Sequence, residues 1–115
     1  MQGYRRLIVW QKADELAYSI FIETKHFPKE ETYGLTSQLR RAALSIPTNI
    51  AEGSGRRNPN EFRQFVNIAL GSLAEVEYLL SFCLRLNYLK EERYFEIESL
   101  RKFVGSLLCN LYKSF

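Results

Sequence analysis

The chain has 115 residues, of which 46% are hydrophobic and 25% charged, with six Gly and three Pro. That is the length and balance of one domain spanning residues 1–115, able to bury a core without metals or disulfides, and it excludes disordered and fibrous classes. Sixteen Lys and Arg against 13 Asp and Glu leave a net +3, which permits an anionic partner without requiring one. Cys83 and Cys109 form no Cys-x-x-Cys pair and have no nearby His. Both are expected as small buried hydrophobes in a reducing compartment. The apolar run before Gln11, residues 7–10, is only four residues long, too short for a signal peptide. No stretch elsewhere approaches the ~18 apolar residues of a membrane span. The expectation is a soluble, cytoplasmic protein with no membrane partner.

Apolar residues recur at helical spacing almost throughout. Trp10, Ala13, Ala17, Ile20, Thr24 and Phe27 share one face of a first helix, roughly 8–26, which Pro28 stops. Lys29-Glu-Glu-Thr-Tyr-Gly34 is a polar connection with Gly34 as a candidate turn residue. Leu35, Leu39, Ala42, Ala43, Ile46 and Ile50 mark a second helix, roughly 34–52. Pro47 lies inside it and is expected to kink it rather than end it, because the apolar spacing resumes at Ile50. Gly53-Ser-Gly-Arg-Arg-Asn58 is the clearest break, with Gly53 placed as a helix C-cap.

Asn58-Pro59-Asn60-Glu61 is a start signal: Asn58 can cap, Pro59 suits the first helical position, and Glu61 can reach back to the cap amide. Phe62, Val66, Ala69, Leu73, Val76, Leu80 and Cys83 then define a third helix, roughly 59–87. At ~1.5 Å per residue it is on the order of 43 Å long. After the short turn Asn87-Tyr-Leu-Lys90, the residues Ile97, Leu100, Val104, Leu107 and Leu111 define a fourth helix, roughly 91–114. Strand-type alternation is sustained nowhere. Short connections between long helices predict an all-α, antiparallel up-down-up-down four-helix bundle.

The third helix carries more apolar surface than one bundle seam needs. Phe65, Ile68, Leu79, Phe82 and Leu86 form a second row, interrupted by Ser72 and Glu75. The fourth adds Phe103, Leu108, Tyr112 and Phe115 beside its seam. Such a surplus fits either a wide core or a subunit interface, and self-association is the favoured reading.

Chemistry finds no constellation. His26 is the only histidine and has no second ligand at i+3 or i+4, so it makes a poor metal site and has no nucleophile to serve. Glu75 and Glu77 point in different directions on a helix, and Glu30-Glu31 and Glu91-Glu92 read as solvated. Gly53-Ser-Gly-Arg-Arg lacks the spacing of a phosphate loop. No catalytic residue, metal, cofactor or small-molecule substrate is expected.

Charge placement is more informative. In the expected bundle one pole collects Arg5, Arg6, Arg56, Arg57, Arg63 and Lys113 against Glu52 and Glu61, a net +4. The other pole balances Lys25, Lys29, Arg85, Lys90 and Arg93 against Glu23, Glu30, Glu31, Glu91 and Glu92. The basic pole serves either solubility or phosphate contact, with Tyr4 as an added stacking surface. Arg40 and Arg41 differ, because they lie beside the apolar face of the second helix. They are expected to form a structural ion pair with Glu75.

These segments also carry a resemblance. Val9-Trp-Gln-Lys-Ala13 with Glu15-Leu16, Phe27-Pro28, Tyr33-Gly-Leu35 and Gln38-Leu-Arg-Arg-Ala-Ala43 match a known pattern, as do Ser45-Ile-Pro-Thr-Asn-Ile-Ala-Glu-Gly53, Gly55-Arg56, Ile68-Ala69, Gly71-Ser72 and Glu75. The chain resembles, over nearly its whole length, the small four-helix-bundle proteins encoded in intervening sequences of bacterial 23S rRNA genes. The resemblance implies a bundle that assembles as a homopentamer. More distantly, it is similar to the accessory protein of diversity-generating retroelements, a pentameric barrel that binds nucleic acid and a reverse transcriptase. The functional expectation is a non-enzymatic homo-oligomer that binds RNA or a nucleoprotein through Arg5, Arg6, Arg56, Arg57 and Arg63. Its alternative is a protein-interaction scaffold that needs no phosphate.

Overall fold

The computed structural model describes residues 3–115. A 3-10 turn over Gly3–Arg6 leads into α1 (Ile8–Thr24), and a second over Lys29–Glu31 precedes α2 (Leu35–Ser54). Then follow α3 (Pro59–Arg85) and α4 (Glu91–Lys113), with no strand among the described residues. α1 packs on α2 and α4, and α3 packs on the same two helices, leaving the diagonal pairs apart. This is the closed square of an up-down-up-down bundle, 43 × 24 × 21 Å.

Each helix contributes a stripe to one core. α1 supplies Ala13, Leu16 and Ile20, α2 supplies Leu39, Ala43, Ile46 and Ile50, and α3 supplies Val66, Val76, Leu80 and Cys83. α2 runs unbroken through Pro47, which is itself buried. Two carbonyls in the turn before the proline receive extra donors: Thr48 Oγ1 donates to Leu44 O and Asn49 Nδ2 to Ser45 O, each at 2.8 Å.

Several positions depart from the sequence expectation. Gly53 is no C-cap: α2 continues past it to Ser54, and no glycine among the described residues has positive φ. Its role is close approach, since a Cβ there would lie 2.7 Å from Phe65 Cβ and 2.8 Å from Phe62 Cδ1. Leu79, expected on the outer row of α3, is buried in the core, and so is Leu108 of α4. The inner row of α4 is shifted toward Val104 and Leu108, and Gly105 there sits against Leu73. Half-burying Leu100, Leu107 and Leu111 follows from that shift. Cys109, expected inside, is exposed.

Among the described residues α3 is the one helix long and apolar enough to cross a membrane, where the sequence expectation finds no such stretch. The difference is one of measure. A continuous apolar run is interrupted by Asn67, Ser72 and Glu75, whereas the average along the helix is not lowered enough by them. The stripe from Val66 to Cys83 faces the bundle core.

Candidate nucleic-acid interface

The Asn58 cap works as expected, its Oδ1 accepting from Asn60 N at 2.8 Å and starting α3 beside the end of α4. Phe62 and Phe115 meet there edge to face, 5.2 Å between ring centres. Glu61 does not reach back to the cap. It lies 3.8 Å from Arg56, which Glu52 approaches at 3.4 Å on its other side. Arg56 also covers the Phe65 ring at 5.0 Å. Two carboxylates therefore neutralise Arg56, one of the five arginines expected to meet phosphate.

The other four are freer. Arg5 lies over both Tyr4 and Trp10, at 5.2 and 5.3 Å, and these rings meet edge-on at 4.9 Å. Tyr4 is thus part of a small aromatic platform with Arg5 above it. The 3-10 turn that carries Arg5 is tied back by Gln11 Nε2, which donates to Arg5 O at 2.8 Å. Arg63 stands 4.0 Å over the Tyr112 ring. Arg6 and Arg57 are exposed, and among the described residues neither is paired with a carboxylate. A guanidinium on an aromatic face keeps its edge donors available, so Arg5 and Arg63 remain competent to meet an anion. Tyr112 and Trp10 are site residues the charge count misses, because only the folded contact puts an aromatic face under each arginine.

At the opposite pole Arg93 is the one described cation held by carboxylates; Lys25, Lys29, Arg85 and Lys90 form no ion pair among the described residues. Arg93 Nε donates to Glu23 Oε1 at 2.8 Å, and the same guanidinium also pairs with Glu96. These hydrogen bonds, the Glu23 one foremost, push the Arg93 pKa up from its ordinary value. Glu31 is not merely solvated: it accepts from Leu35 N at 3.1 Å and from the Tyr88 hydroxyl at 2.9 Å. That bond raises the Tyr88 pKa. Beneath it, burial pushes the Cys83 thiol up to about 11. Asn87 closes α3 at φ 63°, with Tyr88 N donating to Cys83 O and Asn87 N to Leu84 O, a Schellman ending.

The expected ion pair of Arg40 and Arg41 with Glu75 does not form. Arg40 turns to α1, where Nε donates to Thr24 Oγ1 at 2.7 Å and Nη2 to Phe21 O at 3.1 Å. Neutral acceptors and the Phe21 ring at 4.9 Å satisfy it instead. Arg41 and Glu75 border one open groove with Ser45 and Ser72, without a salt bridge between them. The buried carboxylate of this bundle is Glu98, gripped by Arg101 at 2.6 Å within α4, and Arg101 reaches across to Glu77 of α3 at 3.6 Å.

The expected subunit row is divided. Leu79 belongs to the core, Phe65 and Phe82 are half-buried beneath Arg56 and Arg85, and Ile68 and Leu86 remain exposed. Tyr78, Phe95 and Phe103 add exposed apolar surface on α3 and α4. Among the described residues no three His, Cys, Asp or Glu side chains gather as metal ligands would.

A family model for the 23S rRNA-intervening sequence protein matches residues 5–110. No curated protein matches. Among solved structures, the fold is similar to a crystal structure from Bacteroides thetaiotaomicron, a protein of unknown function from the S23 ribosomal protein family. That likeness has a TM-score of 0.84 at 27% identity, covering 92% of this chain and 96% of the other.

Proposed function

This chain belongs to the 23S rRNA-intervening sequence protein family, and from that premise we propose that it is a non-enzymatic, cytoplasmic homo-oligomer that binds RNA or a nucleoprotein through its basic pole. The supporting observation is the contrast in charge balance. Arg6 and Arg57 are exposed without carboxylates, Arg5 and Arg63 rest on aromatic rings, and this pole holds two carboxylates for six cations where the far pole holds five for five. Unpaired guanidinium groups on one face are what a polyanion needs, since each neutralised phosphate releases counterion. Arg56 contributes less than its neighbours because Glu52 and Glu61 hold it.

Self-association rests on the exposed Ile68 and Leu86 with half-buried Phe82, and five copies are what the family resemblance implies. Assembly would repeat the basic pole around one rim and multiply its charge. The double variant Arg57→Glu/Arg63→Glu is expected to lose about tenfold or more in affinity for a structured rRNA fragment, with the solution mass unchanged. Undiminished affinity would sink the site. Ile68→Glu with Phe82→Glu is expected to dissociate the assembly, and a wild-type monomer at micromolar concentration would refute self-association.

A second reading is favoured by one feature. Tyr4, Trp10, Leu44, Pro47 and Ala51 line an open, largely apolar groove of about 610 Å³ between α1 and α2. A protein segment docked there would make this a scaffold, and its capture would be insensitive to salt.

A further inference from the structure

The two ends that meet at the basic pole, the start of α3 and the end of α4, enclose a groove of different chemistry from the rest of the surface. Asn60, Arg63, Gln64 and Asn67 stand at i, i+3, i+4 and i+7 on α3, one continuous face, and Tyr112 of α4 forms the opposite wall. Arg63 is the closest of the described cations to an aromatic ring, at 4.0 Å. Among the described residues, the side-chain carboxamides of Asn60, Gln64 and Asn67 have no hydrogen-bond partner within the chain, and no carboxylate lines the groove.

A carboxamide both donates and accepts, which suits the mixed edge of a nucleobase. An Arg–Tyr pair offers planar faces on which a base can stack. Arg57, just before α3, and Lys113, next to Tyr112, are exposed cations for the flanking phosphates. We infer that this groove takes one unpaired nucleotide of the bound RNA, its base against Arg63 and Tyr112 and its edge read by Gln64 and Asn67. The inference rests on the proposed RNA binding and adds that single-stranded positions are preferred over duplex. A basic peptide fits less well, since no carboxylate lines the groove to pair with it.

The test compares a hairpin RNA having a single-stranded loop with a blunt duplex of equal phosphate number, using anisotropy. Gln64→Ala/Asn67→Ala, at two exposed positions, is expected to weaken hairpin binding about tenfold and change duplex binding less than about twofold. Tyr112→Ala, which removes the ring under Arg63, is expected to weaken hairpin binding by a similar factor, while Lys29→Ala at the far pole is expected to bind both RNAs like the parent. Equal loss on both RNAs, or no loss on either, would overturn the nucleotide subsite while leaving phosphate contact by the pole standing. If the parent binds neither RNA, even at low salt, both the subsite and the RNA-binding reading fall.

Discussion

The two ends of this bundle are built from the same four helices and nearly the same number of cations, six and five, yet one holds two carboxylates and the other five. At the far pole Arg93 is clasped by Glu23 and Glu96, and Glu31 ties the α2 start to Tyr88. At the basic pole only Arg56 has carboxylates, while Arg5 and Arg63 have aromatic rings instead. An ion pair satisfies a guanidinium's charge, whereas a ring orients the group and leaves its charge to the surroundings. Each pole pairs one arginine with carboxylates, so the local surplus of cations, more than the pairing, decides where a polyanion binds.

The largest effect separates the poles directly. Arg6→Glu/Arg57→Glu/Arg63→Glu is expected to weaken RNA binding about a hundredfold, measured by gel shift, because it removes three contacts and adds three repulsions. The matching reversals Lys25→Glu/Lys29→Glu/Lys90→Glu at the far pole are expected to change affinity by about twofold. Equal losses would erase the distinction.

Gly53→Ala tests what holds the basic pole together. Its Cβ would collide with Phe65 and Phe62, so chemical denaturation should show a loss of ~1–3 kcal/mol. A neutral result would contradict the close approach of Phe62 and Phe65 to Gly53. The far pole responds instead to alkali. Cys83 titrates ordinarily at 9.0 and is pushed up to about 11 in the fold, so the native state holds its proton more tightly. That stability is fully present below pH 9 and is lost, by about 2 kcal/mol, as pH rises toward 11. Tyr88, also raised, loses its contribution in the same direction above its ordinary value of 10.0. Cys83→Ala should flatten much of this pH dependence from its own lower starting stability, and an unchanged slope would contradict the assignment.

Smaller effects sharpen the same contrast. Asn58→Ala is expected to cost ~1 kcal/mol at the start of α3 in thermal unfolding. Asn87→Ala, at positive φ, should cost ~1 kcal/mol at its end, with Asn87→Gly close to neutral. Smallest of all, Glu52→Gln releases one partner of Arg56 and should raise RNA affinity about twofold. A fall in affinity would place Glu52 in the contact itself.

What the sequence made legible was local or periodic. Asn58-Pro59 marks the start of α3 within three residues, and the spacing from Val66 to Cys83 gives its core face without reference to any other helix. Pro47 reads as interior because the apolar period resumes past it. The misplacements all depend on another helix. Glycine serves a helix ending and a close helix crossing equally, and only the approach of Phe62 and Phe65 decides for Gly53. The sequence offers Arg40 and Arg41 the carboxylate of Glu75 in the interrupted row of α3, but a hydroxyl and a carbonyl of α1 complete the bonds of Arg40, and neutral acceptors leave no charge signal to find. Leu79 and Leu108 sit at the edge of their stripes, where a small rotation moves a side chain from rim to core. Within the site, the positions of Arg5, Arg6, Arg57 and Arg63 at one pole follow from topology. The pairing of Arg56 and the aromatic supports of Arg5 and Arg63 require the fold.

The measurement that bears most directly on the basic pole is the affinity for a structured rRNA fragment, by fluorescence anisotropy, titrated from low to physiological salt. Binding is predicted to weaken steeply, with a log–log slope of about −3 or steeper, as expected for several phosphates neutralised by Arg6, Arg57, Arg63 and their neighbours. The Arg57→Glu/Arg63→Glu protein should show a slope shallower by about two. Binding that is absent at low salt, or that ignores salt altogether, would contradict the account and turn attention to the apolar groove beside Trp10.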